Sequence, residues 1–195
     1  VAWAFGPFTN GKGKNNMRTI FISGPESTGK TTLVHSLAQH LDLPFKMEYA
    51  RHFFEWHPEK LPADSKLIRY LYRTQMRIWK TAMMEAKKSG ADALLLDTCP
   101  LNYYIWHSWQ FGESWSKPLL DLQQWEGEML VVLCTPDLPW VSDGQRNNEA
   151  NLRALFEQFE KGWNSLSVPR IVVHGTGEER FLRCRESVSR FLGSR

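Results

Sequence analysis

A doubly wound α/β fold, built on a five-stranded parallel sheet, is predicted for this chain by three features of its sequence. Short continuous apolar runs alternate with segments of helical periodicity, the pattern of strands joined by crossover helices. The first run, Thr19-Ile20-Phe21-Ile22-Ser23, leads straight into a glycine loop and then a helix. Two further runs, Phe45-Lys46-Met47-Glu48 and Ala93-Leu94-Leu95-Leu96-Asp97, end in a carboxylate. Such strand tips face the ligand crevice of an open parallel sheet.

The length of 195 residues suits one domain with a sizeable core. A net charge of +3 is too small to argue for nucleic acid, and no basic stripe or helicase-type motif is read. No apolar run approaches a membrane span, so membrane insertion is not expected. Cys99, Cys134 and Cys184 lack metal-type spacing and read as reduced thiols of a cytoplasmic protein. Residues 1–16 carry breaker signals (Gly6-Pro7, Asn10-Gly11, Gly13) and no periodicity. They are expected to be a disordered leader or a non-native extension, with the domain occupying 17–195.

The loop Gly24-Pro25-Glu26-Ser27-Thr28-Gly29-Lys30-Thr31-Thr32 fits G-x-x-x-x-G-K-[ST], the P-loop pattern. Gly24 and Gly29 permit backbone geometry that aims several N–H groups at a phosphate chain, and the helix N-terminus adds partial positive charge. Lys30 is expected to reach the β/γ-phosphates and Thr31 to ligate Mg²⁺. Leu33, Val34, Leu37, Ala38 and Leu41 line one face of the helix that follows.

Leu43-Pro44 ends that helix, and the second strand runs into Glu48-Tyr49-Ala50-Arg51. Glu48, Tyr49 and Arg51 are the substrate-side candidates. Glu48 reads as a general base or hydroxyl binder and Arg51 as an anion or ring contact; a surface ion pair is the plain alternative. Residues 52–63, rich in aromatics and proline, are expected to be irregular. A long helix is predicted from Asp64 or Ser65 to Ser89, stopped by Gly90, with Leu67, Leu71, Met76, Trp79 and Met83 among its core positions. Neither His52 nor His57 shows ligand spacing.

Asp97 ends a buried strand and is expected to contact Mg²⁺, directly or through water. An aromatic helix follows from Leu101 to Phe111. It either walls a pocket for a flat ring or packs the core. A helical stretch at 116–126 precedes the strand Met129–Cys134. The polar loop Val141-Ser142-Asp143-Gly144-Gln145-Arg146 then leads into a helix from about Glu149 to Gly162. Asp143, Arg146 and Arg153 are candidates for a mobile lid that closes arginines on a transferring phosphate; solvated arginines are the alternative. Arg170–His174 is the last strand. The His174–Gly177 loop is a place for adenine contacts, and a terminal helix follows.

The set Ser23–Thr32, Glu48–Arg51, Leu96-Asp97-Thr98, Leu138–Arg146 and Arg180-Phe181-Leu182-Arg183-Cys184 resembles the ribosylnicotinamide kinase domain of the NadR type, within the AAA-like P-loop ATP-binding family. The resemblance spans essentially residues 17–193. It implies a nucleoside-monophosphate-kinase-like P-loop NTPase fold with a lid. It also implies ATP·Mg²⁺-dependent phosphorylation of nicotinamide riboside to nicotinamide mononucleotide, a step of NAD salvage. By motif, Gly24–Thr32 would hold ATP, Asp97 would meet the metal or a substrate hydroxyl, and Asp143–Arg146 would form the lid. The DNA-binding and adenylyltransferase parts of the family's longer members do not fit this length, so a stand-alone kinase is expected. The sequence departs at Cys99, where the family often has an acid or an equivalent polar residue.

The expected chemistry is in-line attack of a riboside 5′-hydroxyl on the γ-phosphate, with Lys30, Mg²⁺ and Arg146 stabilising charge. Glu48 is assigned to the hydroxyl and Asp97 to the metal, with either able to act as the base. Trp106, Trp109 and Trp140 are the candidate platforms for a cationic ring. Two other readings share these residues: a kinase for another nucleoside or coenzyme precursor, and a non-enzymatic nucleotide switch. Oligomeric state is not legible.

Overall fold

The structure, a computed structural model, describes residues 17–140 and 149–193. The expected leader (1–16) and the lid residues Asp143 and Arg146 lie outside the described residues. Five strands form: β1 (Arg18–Ser23), β2 (Phe45–Lys46), β3 (Ala93–Asp97), β4 (Met129–Cys134) and β5 (Arg170–Val173). They pair in the order β2-β3-β1-β4-β5, all parallel, so the predicted five-stranded doubly wound sheet is what the chain builds.

Side-chain alternation explains the two cores. Phe21, Leu94, Leu96, Val131 and Leu133 point to one face. Ile20, Ile22, Leu95, Leu130 and Val132 point to the other. The second face is covered by α1 (Lys30–Leu41) and α7 (Gly177–Gly193). The first carries the larger core, under α3 (Ser65–Ser89), α4 (Pro100–Phe111), α5 (Lys117–Gln123) and α6 (Leu152–Asn164). Arg18 fastens the end of α7 to the sheet, donating to Leu192 O at 2.5 Å.

The bounds of α3 are those its caps dictate. The Asp64 carboxylate accepts from the Leu67 N–H, and Gly90 ends the helix at φ 73°.

Three expectations are corrected. Residues 52–63 are not irregular throughout. Glu48 takes the N-cap position of α2 (Tyr49–Trp56), and a short 3₁₀ turn covers Pro58–Lys60. Tyr49, Ala50 and Phe53 pack one helical face onto the core, which overrides the prolines that end the segment. As a result β2 is only two residues long and Glu48 sits just past it, as a helix cap. The third correction concerns basic residues. Arg69, Arg73, Arg77 and Lys80 share one face of α3, beside a groove of about 410 Å³ floored by Met76 and Trp115. Spacing by three and four residues makes a stripe that is invisible as a run in sequence.

Candidate active site

The glycine loop leaves the central strand, where the sheet reverses its order of connection. Gly24 has φ 130°, and a Cβ there would lie 2.6 Å from Cys134 O. Only glycine fits so close to β4. Gly29 has φ 71° and forms the N-cap of α1. Lys30 Nζ donates to Pro25 O at 2.5 Å, which holds the ammonium inside the curl of the loop.

The register Ile22↔Asp97 sets the β3 tip beside the loop. The Thr31 hydroxyl donates to Asp97 Oδ2 at 2.7 Å. Asp97 is 1% exposed, and its Oδ1 has no hydrogen-bond partner among the described residues. A buried carboxylate oxygen left over beside a P-loop threonine fits a Mg²⁺ ion, bound directly or through water. Among the described residues no group of three His, Cys, Asp or Glu could cage a metal. A Mg²⁺ held mainly by phosphates and water needs none.

A buried polar network supports the loop from below. Asn102 Nδ2 donates to Gly24 O at 3.2 Å, while Ser23 Oγ donates to Asn102 Oδ1 at 2.8 Å. Trp163 Nε1 donates to Ser23 Oγ at 3.1 Å. The Cys99 thiol points into this network, donating to Asn102 Oδ1 at 2.9 Å. It is fully buried and does not line the cleft, and burial pushes its pKa up to about 12. The position where the sequence departs from the family is therefore part of the loop's foundation.

Arg180 supports the loop from the other side. Its guanidinium is 6% exposed and donates to Thr28 O and Gly175 O, each at 2.9 Å, and to Thr135 O at 3.4 Å. Asp137 Oδ2 accepts from the Gly175 N–H and from the Thr135 hydroxyl, both at 2.6 Å. Burial opposes its ionisation, but those two hydrogen bonds and the Arg180 charge outweigh it and lower the pKa. The loops after β4 and β5 are thus tied to the P-loop through one arginine.

The loop opens onto a cleft of about 670 Å³. Its lining also includes Glu48 at the N-cap of α2, Arg51 and Phe54 from α2, and Tyr103, Trp106 and Gln110 from α4. Burial, and then the charges of Glu48 and Asp97, raise the Tyr103 pKa well above its ordinary value, so the phenol stays protonated.

Of the residues picked from sequence, the cleft brings together Glu26 to Thr32, Glu48, Arg51 and Trp106. Gly24, Pro25 and Asp97 are not on its wall; Asp97 reaches the site through Thr31. Tyr49, Trp109 and Trp140 are not on the wall either. The Tyr49 N–H donates to Gln75 Oε1 and its ring packs on the core. Arg153 is exposed on α6, away from the cleft. Sequence reasoning gave no role to Asn102 or Arg180, and it took Tyr103 only as part of the aromatic helix that either walls a pocket for a flat ring or packs the core. The Arg180 signal was present as a charged residue inside an otherwise quoted motif, but its partners lie far away in sequence.

A family model described as an AAA domain matches residues 19–180. The trifunctional NAD biosynthesis/regulator protein NadR of Escherichia coli (strain K12) is 26% identical over 186 residues, which is 91% of this chain. This chain spans 43% of that relative's length. A crystal structure of NadR in complex with NR superposes with a TM-score of 0.67 at 18% identity, covering 92% of this chain and 52% of that one. Deoxyadenosine kinase from M. mycoides, with products bound, gives a TM-score of 0.59 at 14% identity, covering 88% of this chain and 99% of that one. At these identities the structures establish the shared fold.

Proposed function

We propose, from the premise that this chain belongs to the AAA domain family, that it is an ATP-dependent kinase of a small riboside, with nicotinamide riboside as the acceptor. One observation carries the reading. A single cleft is lined both by Glu26 to Thr32 of the glycine loop and by the Glu48 carboxylate, the Arg51 guanidinium and aromatic side chains of α2 and α4. A nucleotide switch needs the first set only; a phosphotransferase needs both. The likeness to NadR and to its complex with NR supports the choice of acceptor.

In this reading the Gly24–Thr32 backbone and Lys30 hold the triphosphate and gather charge from the γ-phosphate. Glu48 lines the cleft and accepts the proton of the attacking hydroxyl. Asp97, with Thr31, would hold Mg²⁺, which when bound would neutralise charge on the phosphates. Arg51 and Trp106 frame the acceptor, the indole face suiting a cationic ring. Arg146 is assigned to the closing lid by its motif.

The test is product analysis by mass spectrometry after incubation with ATP, Mg²⁺ and a panel of ribosides. A phosphorylated nicotinamide riboside is the expected product. Lys30→Ala should lower turnover by at least ~100-fold with the fold intact, because its target is a transition-state charge. Nucleotide binding with no phosphorylated riboside in the panel would overturn the reading.

A further inference from the structure

We infer that the Tyr103 hydroxyl is a hydrogen-bond donor to a sugar hydroxyl of the acceptor, and so a determinant of selection for ribosides over deoxy analogues. The inference rests on the kinase reading above and names what its acceptor half recognises.

Tyr103 is 5% exposed, and its hydroxyl has no hydrogen-bond partner among the described residues. Buried polar groups are nearly always paired, so an orphan requires a reason. The other side chains with orphaned buried polar atoms include Trp79 and Ser108, neither of which borders the cleft. Tyr103 does.

The ring has little freedom to look for another partner. It packs at 5.2 Å from the Tyr72 ring and 6.4 Å from the Trp79 ring, both fully buried. The core thus fixes where the hydroxyl points, which is the preorganisation a specificity contact needs.

The neighbours define what it can bind. Glu48 is an acceptor on the same cleft wall, and Tyr103 is held protonated as a donor. A sugar hydroxyl both donates and accepts, so it pairs with the orphaned phenol while still donating to a neighbouring acceptor. A hydrogen in its place leaves the phenol unpaired, and sites built to hydrogen-bond a hydroxyl reject such analogues strongly. Phe54 and Trp106 supply apolar contacts that every analogue shares.

The experiment compares wild type and Tyr103→Phe on nicotinamide riboside and on its 2′-deoxy and 3′-deoxy analogues, with the melting temperature and the KM for ATP measured in parallel. The expected result is a fall of about tenfold in kcat/KM for the riboside, with little change for the analogue that lacks the contacted hydroxyl. The KM for ATP should stay within about twofold and the melting temperature should not fall, since no intramolecular bond is lost. Equal losses on all three acceptors, unaltered riboside kinetics, or a lowered melting temperature would overturn the assignment. If wild type phosphorylates none of the acceptors, the kinase reading fails and this inference fails with it. If wild type is active and its riboside selectivity survives in Tyr103→Phe, only the Tyr103 assignment fails.

Discussion

Arg180→Leu tests whether the P-loop is held in shape from outside the loop. The substitution keeps bulk inside the fold and removes a guanidinium that is 6% exposed and bonded to three backbone carbonyls. Two of those bonds are 2.9 Å long and one is 3.4 Å, so two count fully. A hydrogen bond to a charged group contributes about 1.5–3 kcal/mol. Gly175 O lies on an exposed residue and regains water, whereas Thr28 O lies on one that is 1% exposed and does not. Relief of the buried charge offsets part of the loss. The net is a destabilisation of about 2–4 kcal/mol, or a fall in Tm of roughly 5–15 °C for a domain of this size. Urea denaturation followed by circular dichroism measures the first quantity. Isothermal titration calorimetry with ATP measures the second consequence, a weakening of about tenfold or more as the released Thr28 loosens the cradle. Arg180→Lys should recover part of the stability but not the affinity, because a point charge cannot span carbonyls on separate loops. A loss below about 1 kcal/mol with unchanged ATP affinity would show that the three bonds are incidental, and the proposed support would be refuted.

Two further outcomes are expected. Gly24→Ala places a Cβ 2.6 Å from Cys134 O at φ 130°, so it should cost about 1–3 kcal/mol or more and abolish measurable ATP binding by calorimetry; wild-type affinity would contradict the fit at β4. Burial lowers the His107 pKa below its ordinary 6.5, so the unfolded chain binds the extra proton. Its contribution to stability is complete above pH 6.5 and is lost as pH falls through the folded-state value, so the urea midpoint should drop between about pH 7 and pH 5. In His107→Asn that slope should flatten, and an unchanged slope would assign it to other groups.

The elements of this protein follow from local pattern. Three apolar runs, those of β1, β3 and β4, are buried along their whole length and can satisfy their side chains only when covered on both faces, which requires a parallel sheet wrapped by helices. Asp64 and Gly90 bound α3 because a carboxylate caps free N–H groups and glycine accepts positive φ. The P-loop declares itself because its spacing is dictated by the phosphate chain. The helix α2 was hidden because aromatic and proline residues read locally as a break, while its apolar face forms only against α3 and the core.

The assembly of the site was decided by tertiary structure. The parallel register Ile22↔Asp97 brings the β3 tip to Thr31. Arg180 meets Thr28 across a separation of 152 residues. No periodicity encodes such a meeting, because it depends on how α7 packs behind the sheet. The sequence marks Cys99 as a departure, and packing turns its thiol under the loop and away from the cleft. It also lists Tyr103 as one aromatic among many. The fold makes it distinct, by clamping its ring in the core beside the cleft and leaving its hydroxyl without a hydrogen-bond partner among the described residues. Local chemistry therefore determined the elements other than α2 and where a triphosphate fits. Long-range packing alone decided which side chains share the cleft.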